Sequence, residues 1–100
     1  MVRALKMEIV DNVATLLSEV SRGEVVEVVS QEGFIVDRVE ALEPIPFGHK
    51  IALAEMTRGE KVIKYGEAIG VTSRDIRRGE WIHTHNVESL RLPEKKGVKP

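Results

Sequence analysis

One hundred residues carry 15 basic and 16 acidic side chains, a formal charge of −1, three histidines and no cysteine. A chain of this length forms one domain with a shallow core, so a deep self-contained catalytic cleft is hard to build. Without cysteine there is no disulfide framework, no thiolate nucleophile and no sulfur-rich metal site. No apolar run nears the roughly 18 residues a membrane span needs, and the sequence reads as a cytoplasmic protein. Charge is uneven: residues 1–46 hold four basic and nine acidic groups, residues 47–86 seven and five. The acidic first half argues against a nucleic-acid binder, whose face should be broadly basic.

Leu5, Met7 and Ile9 alternate with Lys6 and Glu8, which predicts a half-buried first strand. In DNVATLLSEVSRGE, Asp11 reads as a helix N-cap. Val13, Leu16, Leu17 and Val20 then fall at helical spacing up to Gly23, predicting one short helix. VVEVV (25–29) and FIVDRV (34–39) flank Gly33 as two strands. Pro44 and Pro46 make EPIPFGHK a stiff extended loop, which presents His49 and Lys50 where it meets the next strand. IALAEM, KVIKY, AIGVT and WIHTH follow as further strands, separated by turns at Gly59, Gly66 and DIRRGE. Arg-Gly-Glu occurs three times, at 22–24, 58–60 and 78–80, each time before a β-rich stretch. The irregular spacing excludes a repeat array, and each copy reads as a turn whose glycine takes positive φ. The expected fold is a small, mostly β domain over residues 1–90 with one short helix, followed by a basic tail at 91–100.

The chemistry-bearing residues gather in the second half. If Trp81–His85 is a strand, its period of two sets Trp81, His83 and His85 on one face and Ile82 and Thr84 on the other. Two imidazoles so placed can share a metal ion, bind substrate oxygens or act as acid and base. The same His-X-His also fits an ordinary exposed ribbon. Lys64 can neutralise a carboxylate and Tyr65 can offer its hydroxyl, or both can be solvated edge residues.

DNVATLL, EPIPFGHKIAL, GEKVIKYGEAIG and DIRRGEWIHTHNVE resemble the N-terminal domain of the altronate and galactarate dehydratases. They are similar in the same way to the small subunit of sulfolactate sulfo-lyase. That domain belongs to the SAF group, so the resemblance implies a β-clip fold. It also implies a lyase that removes water, or sulfite, across C2–C3 of a hydroxy acid, with a divalent ion, ferrous iron or manganese. A separate large subunit would hold most of the machinery. The family's GHK falls on Gly48, His49 and Lys50, its IKYG on Ile63–Gly66, and its HTHN on His83, Thr84, His85 and Asn86. On this resemblance His83 and His85 approach the metal or the leaving hydroxyl, while His49, Lys50, Lys64, Tyr65 and Asn86 bind the substrate. Residues 29–42 depart from the family pattern and remove any sure guide to the substrate. A stand-alone sugar-acid or carbohydrate-binding module and a purely architectural role remain as alternatives, and an open strand edge would permit a homo-oligomer.

Overall fold

The computed structural model describes residues 1–90; the expected basic tail at 91–100 lies outside the described residues. Nine strands are arranged in two sheets. They are β1 (Val2–Leu5), β2 (Val13–Leu16), β3 (Val25–Val29), β4 (Ile35–Glu40), β5 (Lys50–Ala52), β6 (Lys61–Lys64), β7 (Glu67–Thr72), β8 (Trp81–Ile82) and β9 (Val87–Ser89). The larger sheet runs β4-β3-β1-β2-β5-β8 and the smaller β6-β7-β9. Only β1 and β3 pair in parallel; every other neighbour is antiparallel.

The expected helix is absent, and the described residues contain no helix at all. Val13–Leu16 is a strand between β1 and β5, with Ala4 opposite Leu16 and Lys50 opposite Thr15. Its residues serve two cores. Ala14 and Leu16 join a cluster with Val26, Val28, Ile45 and Ile51, whereas Val13 joins Ala52, Val62, Ile76 and Ile82 between the sheets. A strand buried on both faces loses its alternation, so an apolar run with accidental three- and four-residue spacings imitates a helix. A helix of three turns would also be marginal alone, and here tertiary ladders on both sides outweigh it. Asp11 still accepts backbone N–H groups, but those of Glu8, Tyr65 and Gly66 rather than those of a helix end. The first strand lies earlier than expected as well: it spans Val2–Leu5 and ends where the Leu5–Ile9 reading begins, and Ile9 is 92% exposed. The strands read at 25–29 and 34–39 stand within one residue of their places.

One local device recurs four times. In Val20–Glu24, Ile45–His49, Met56–Glu60 and Ile76–Glu80, the fourth residue is a glycine with φ between +83° and +97°. Each glycine N–H donates to one carbonyl in or directly after a strand, of Ala41, Leu16, Thr72 and Ala52 respectively. The amide of that same residue donates back to the residue after the glycine. The first residues of the turns bridge in pairs, Val20 with Ile45 and Met56 with Ile76. The three Arg-Gly-Glu copies are therefore turns, as read from the sequence, and Phe47-Gly48-His49 is a fourth.

Arg78, in the last of these turns, closes the exposed edge of β4. Its guanidinium donates to both carboxylate oxygens of Asp37 (2.8 and 2.9 Å) and to the carbonyls of Arg38 (2.7 Å) and Leu53 (2.8 Å). A plugged edge cannot template a further strand there. The hydrogen bond from Arg78 holds the Asp37 carboxyl below its ordinary value of 3.8. The pair's stabilisation is therefore complete above that value and is lost as pH falls through the lower folded value. Asp37→Asn should leave neutral stability reduced and flatten this part of the acid limb, as measured by urea unfolding at a series of pH values. An acid limb identical to wild type would remove the pair from the account. Asp37 and Arg78 are both about one-third exposed or more, so the effect is modest.

Candidate functional site: an imidazole cluster beside a lysine recess

The fourth turn differs from the others in a way that bears on chemistry. In the three Arg-Gly-Glu turns the glutamate reaches back to the amide three residues earlier: Glu24 accepts from Ser21 (2.8 Å), Glu60 from Thr57 (2.9 Å), and Glu80 from Arg77. At the corresponding place in the fourth turn stands Pro46, which has no N–H to accept from. The position after Gly48 is thus released from capping, and it is occupied by His49.

His49 turns instead toward Trp81, the first residue after the last turn. The indole Nε1–H donates to His49 Nδ1 at 3.1 Å. Trp81 is itself fixed by its backbone, whose N–H donates to the Glu43 carboxylate at 3.0 Å. His83 stacks on the indole, with ring centroids 5.7 Å apart and planes 12° from parallel, and also meets His49 edge-on at 4.8 Å. His85 approaches the indole at 5.3 Å. All three histidines of the chain therefore gather around one tryptophan.

The route to this arrangement is not the one expected. β8 stops at Ile82, and His83–Asn86 is a turn rather than the continuation of a strand. Fully buried Asn86 holds the turn: its Nδ2 donates to the Trp81 carbonyl (2.8 Å) and its Oδ1 accepts from the His83 N–H (3.0 Å). The rings of His83 and His85 converge on Trp81 because a turn folds them back, not because a pleat aligns them. Both side chains are exposed, and His49 and Trp81 are half-buried.

His83 also forms part of a recess of about 250 Å³ between the sheets, together with Lys50, Ile82, Thr84 and Ser89. Lys50 lies opposite Ile82 on β8 and opposite Thr15 on β2, so the three side chains share a face. Burial of its stem, with the repulsion of nearby Lys64 second, pulls the Lys50 ammonium below the ordinary 10.5. Among the described residues no carboxylate pairs with this half-buried cation, which lies next to a second one, and an anion in the recess would supply a counterion. Beside Lys50, the buried hydroxyl of Thr15 is the one buried side-chain polar atom among the described residues without a hydrogen-bond partner. Lys64 ends β6, and its ammonium lies 5.4 Å from the Tyr65 ring centroid on an exposed hairpin tip. Tyr65 takes φ +56°, a conformation few residues other than glycine adopt.

The structure thus draws His49, His83 and His85 into one cluster and joins Lys50 to it through His83. It places Lys64 and Tyr65 on a neighbouring hairpin and gives Asn86 a turn to hold. Sequence reasoning missed Glu43, Thr15 and the anchoring role of Trp81. For His49 a signal was present, since the apolar-x-x-Gly-Glu pattern recurs at Ile45–His49 with His in place of Glu. Among the described residues, no three His, Cys, Asp or Glu side chains are placed to hold a metal ion. The donors among the described residues do not by themselves form a metal shell.

Residues 2–90 match the family described as the altronate/galactarate dehydratase SAF domain. The chain belongs to this family. It is 39% identical over 64 residues to the (2R)-sulfolactate sulfo-lyase subunit alpha of Chromohalobacter salexigens, covering 59% of this chain and 68% of that one. The same subunit from Paracoccus pantotrophus is 44% identical over 54 residues, 54% of this chain and 81% of the relative. The altronate dehydratase of Escherichia coli is 35% identical over 85 residues, which are 85% of this chain and 16% of the enzyme. The SAF domain therefore spans about one-sixth of the altronate dehydratase it matches and most of each sulfo-lyase subunit alpha. No helix among the described residues is long and apolar enough to cross a membrane.

Proposed function

We propose that this SAF domain is the small subunit of a lyase acting on a hydroxylated sugar acid such as altronate or galactarate, completed by a separate large catalytic chain. The observation that carries the reading is the junction at His83, where an exposed imidazole cluster meets a recess with a half-buried lysine. An anionic hydroxy acid fits that pairing: Lys50, with Lys64 behind it, neutralises a carboxylate, while imidazoles stand over the adjacent hydroxyl-bearing carbons. Dehydration takes a proton from C2 and expels the C3 hydroxyl as water, leaving an enol that becomes the 2-keto acid. His83 and His85 are the groups of this chain suited to move those protons. The divalent ion that the family resemblance implies, iron or manganese, would be held mainly by the large chain.

The separate-subunit arrangement is supported by the sulfo-lyase relatives, which are named as subunits and are largely covered by the match. They also keep a second substrate in view: sulfolactate, whose carboxylate and sulfonate would suit the same two lysines. The test is co-purification of this chain with a large dehydratase chain, followed by assay against aldonates, aldarates and sulfolactate. His83→Ala and His85→Ala should each lower kcat by about 100-fold or more if they move protons. Unchanged rates in both variants would remove this chain from the chemistry and leave it a binding or architectural module.

A further inference from the structure

The hydrogen bond between Trp81 and His49 decides what His49 can do. Indole Nε1–H is a donor only, so the nitrogen it meets must present a lone pair. A neutral imidazole has one protonated and one bare nitrogen; with Nδ1 bare and engaged, the proton resides on Nε2. We propose that Trp81 locks His49 in the Nε2–H tautomer, making His49 a neutral hydrogen-bond donor to a ligand oxygen, and neither a metal ligand nor a base.

Three independent features support this. Pro46 frees position 49 from the capping role that glutamate fills in the other turns. Glu43 fixes the backbone of Trp81, so the indole donor is held from a second side. The His49 and His83 rings stand edge to face at 4.8 Å, so a ligand oxygen at His83 lies within reach of His49 as well. In this tautomer His49 has no free lone pair: Nδ1 is taken by Trp81 and Nε2 carries hydrogen. Binding a metal through Nε2 would require removing that proton. The three histidines then divide their work, with His49 polarising an oxygen and His83 and His85 left as the imidazoles able to accept protons or ligate. Trp81 acts through His49 and is a positioning residue. The proposal rests on the functional reading above only for the identity of the oxygen; the tautomer itself is independent of any lyase activity.

The test uses the full chain labelled with ¹⁵N-histidine and long-range ¹H–¹⁵N correlation. His49 should show a protonated Nε2 and a bare Nδ1 as a single tautomer. Trp81→Phe keeps an aromatic platform without a donor, and His49 should then sample both tautomers. Conversely, His49→Ala should move the Trp81 indole proton upfield as its acceptor is lost. Titration with Zn²⁺ alone should leave the Nε2–H of His49 in place. A protonated Nδ1 in the wild-type chain, an indole resonance indifferent to His49→Ala, or replacement of the Nε2 proton by zinc would overturn the proposal. The wild-type measurement stands even if a variant fails to fold, and its outcome does not depend on whether the chain joins a lyase.

Discussion

Gly79→Ala should destabilise the domain by about 3–4 kcal/mol, whereas the same change at Gly23 or Gly59 should cost only about 1–2 kcal/mol. The three glycines occupy equivalent places in equivalent turns, with φ of +97°, +89° and +90°, so the backbone strain of a Cβ is the same in each. What differs is the space. A Cβ at Gly23 or Gly59 meets nothing within 4 Å, but at Gly79 it would run into the backbone carbonyl of Glu40 and crowd Leu42 Cγ at 3.1 Å. The neighbour is main chain at the end of β4, tied by the hydrogen bond from the Leu42 N–H to the Gly79 carbonyl, and it cannot swing aside. Urea unfolding of the three variants separates the strain of positive φ, common to all, from the clash, peculiar to one. Equal losses at the three sites would mean that the last turn does not press on β4 as described. Trp81 stands two residues after Gly79, so the same variant should also disturb the imidazole cluster.

The strands were legible where β-branched runs flank a turn glycine, whereas Val2–Leu5 was placed too late in the chain and Val87–Ser89 was not read at all. Val25–Val29, Ile35–Glu40, Lys61–Lys64 and Glu67–Thr72 all lie where β-branched runs and Gly33, Gly59 or Gly66 place them. Val13–Leu16 was illegible because it is covered on both sides, and periodicity carries no information when both faces are apolar. At the site, HTHN and GHK could be picked out as polar groups near turns, but not as one cluster. Residues 49 and 83 are brought together by the pairing of β5 with β8 and by the Asn86 turn, and neither depends on local spacing. The reading of Trp81–His85 as a strand expected convergence by a mechanism that the chain does not use. Glu43 and Thr15 carry no sequence signal at all, since their significance arises from partners 38 residues away across the fold or from the lack of one.

The shared logic of the four turns also explains how a site grows on a fold built for stability. Three glutamates satisfy exposed turn amides that only water would otherwise take, each a contribution of about 0.5–1.5 kcal/mol. A proline in the fourth turn removes the amide and with it the need for the glutamate. The turn keeps its shape, because Gly48 still donates to Leu16 and Leu16 to His49. A side chain can then be chosen for what it touches rather than for what it caps. Such a change is local, leaves the ladders intact and converts a structural position into a chemical one.

Asp11→Ala is expected to cost about 3 kcal/mol and to loosen the hairpin that carries Lys64 and Tyr65. The carboxylate is 4% exposed and accepts three backbone amides, from Glu8 (3.0 Å), Tyr65 (3.0 Å) and Gly66 (2.9 Å). Hydrogen bonds to a charged acceptor are each worth about 1.5–3 kcal/mol, and water can replace only those amides that reach the surface once the side chain is gone. Asn12 adds to the same seam: its backbone N–H donates to the Ile63 carbonyl, its Oδ1 accepts from the Ile63 N–H, and its Nδ2 donates to the Lys61 carbonyl. Together the two residues stitch the start of β2 to β6, and thereby the larger sheet to the smaller. Tyr65 keeps φ +56° against its intrinsic preference because Asp11 holds its amide, so loss of the carboxylate releases the turn on which Lys64 depends. Asp11→Asn should recover part of the loss, since one oxygen remains to accept while the amide nitrogen faces a donor it cannot satisfy. Urea unfolding with an unchanged m-value would assign the difference to stability. Faster amide exchange confined to residues 63–67 would locate it in the hairpin. A loss below about 1 kcal/mol for Asp11→Ala would show that solvent satisfies all three amides and that the seam is held by Asn12 alone.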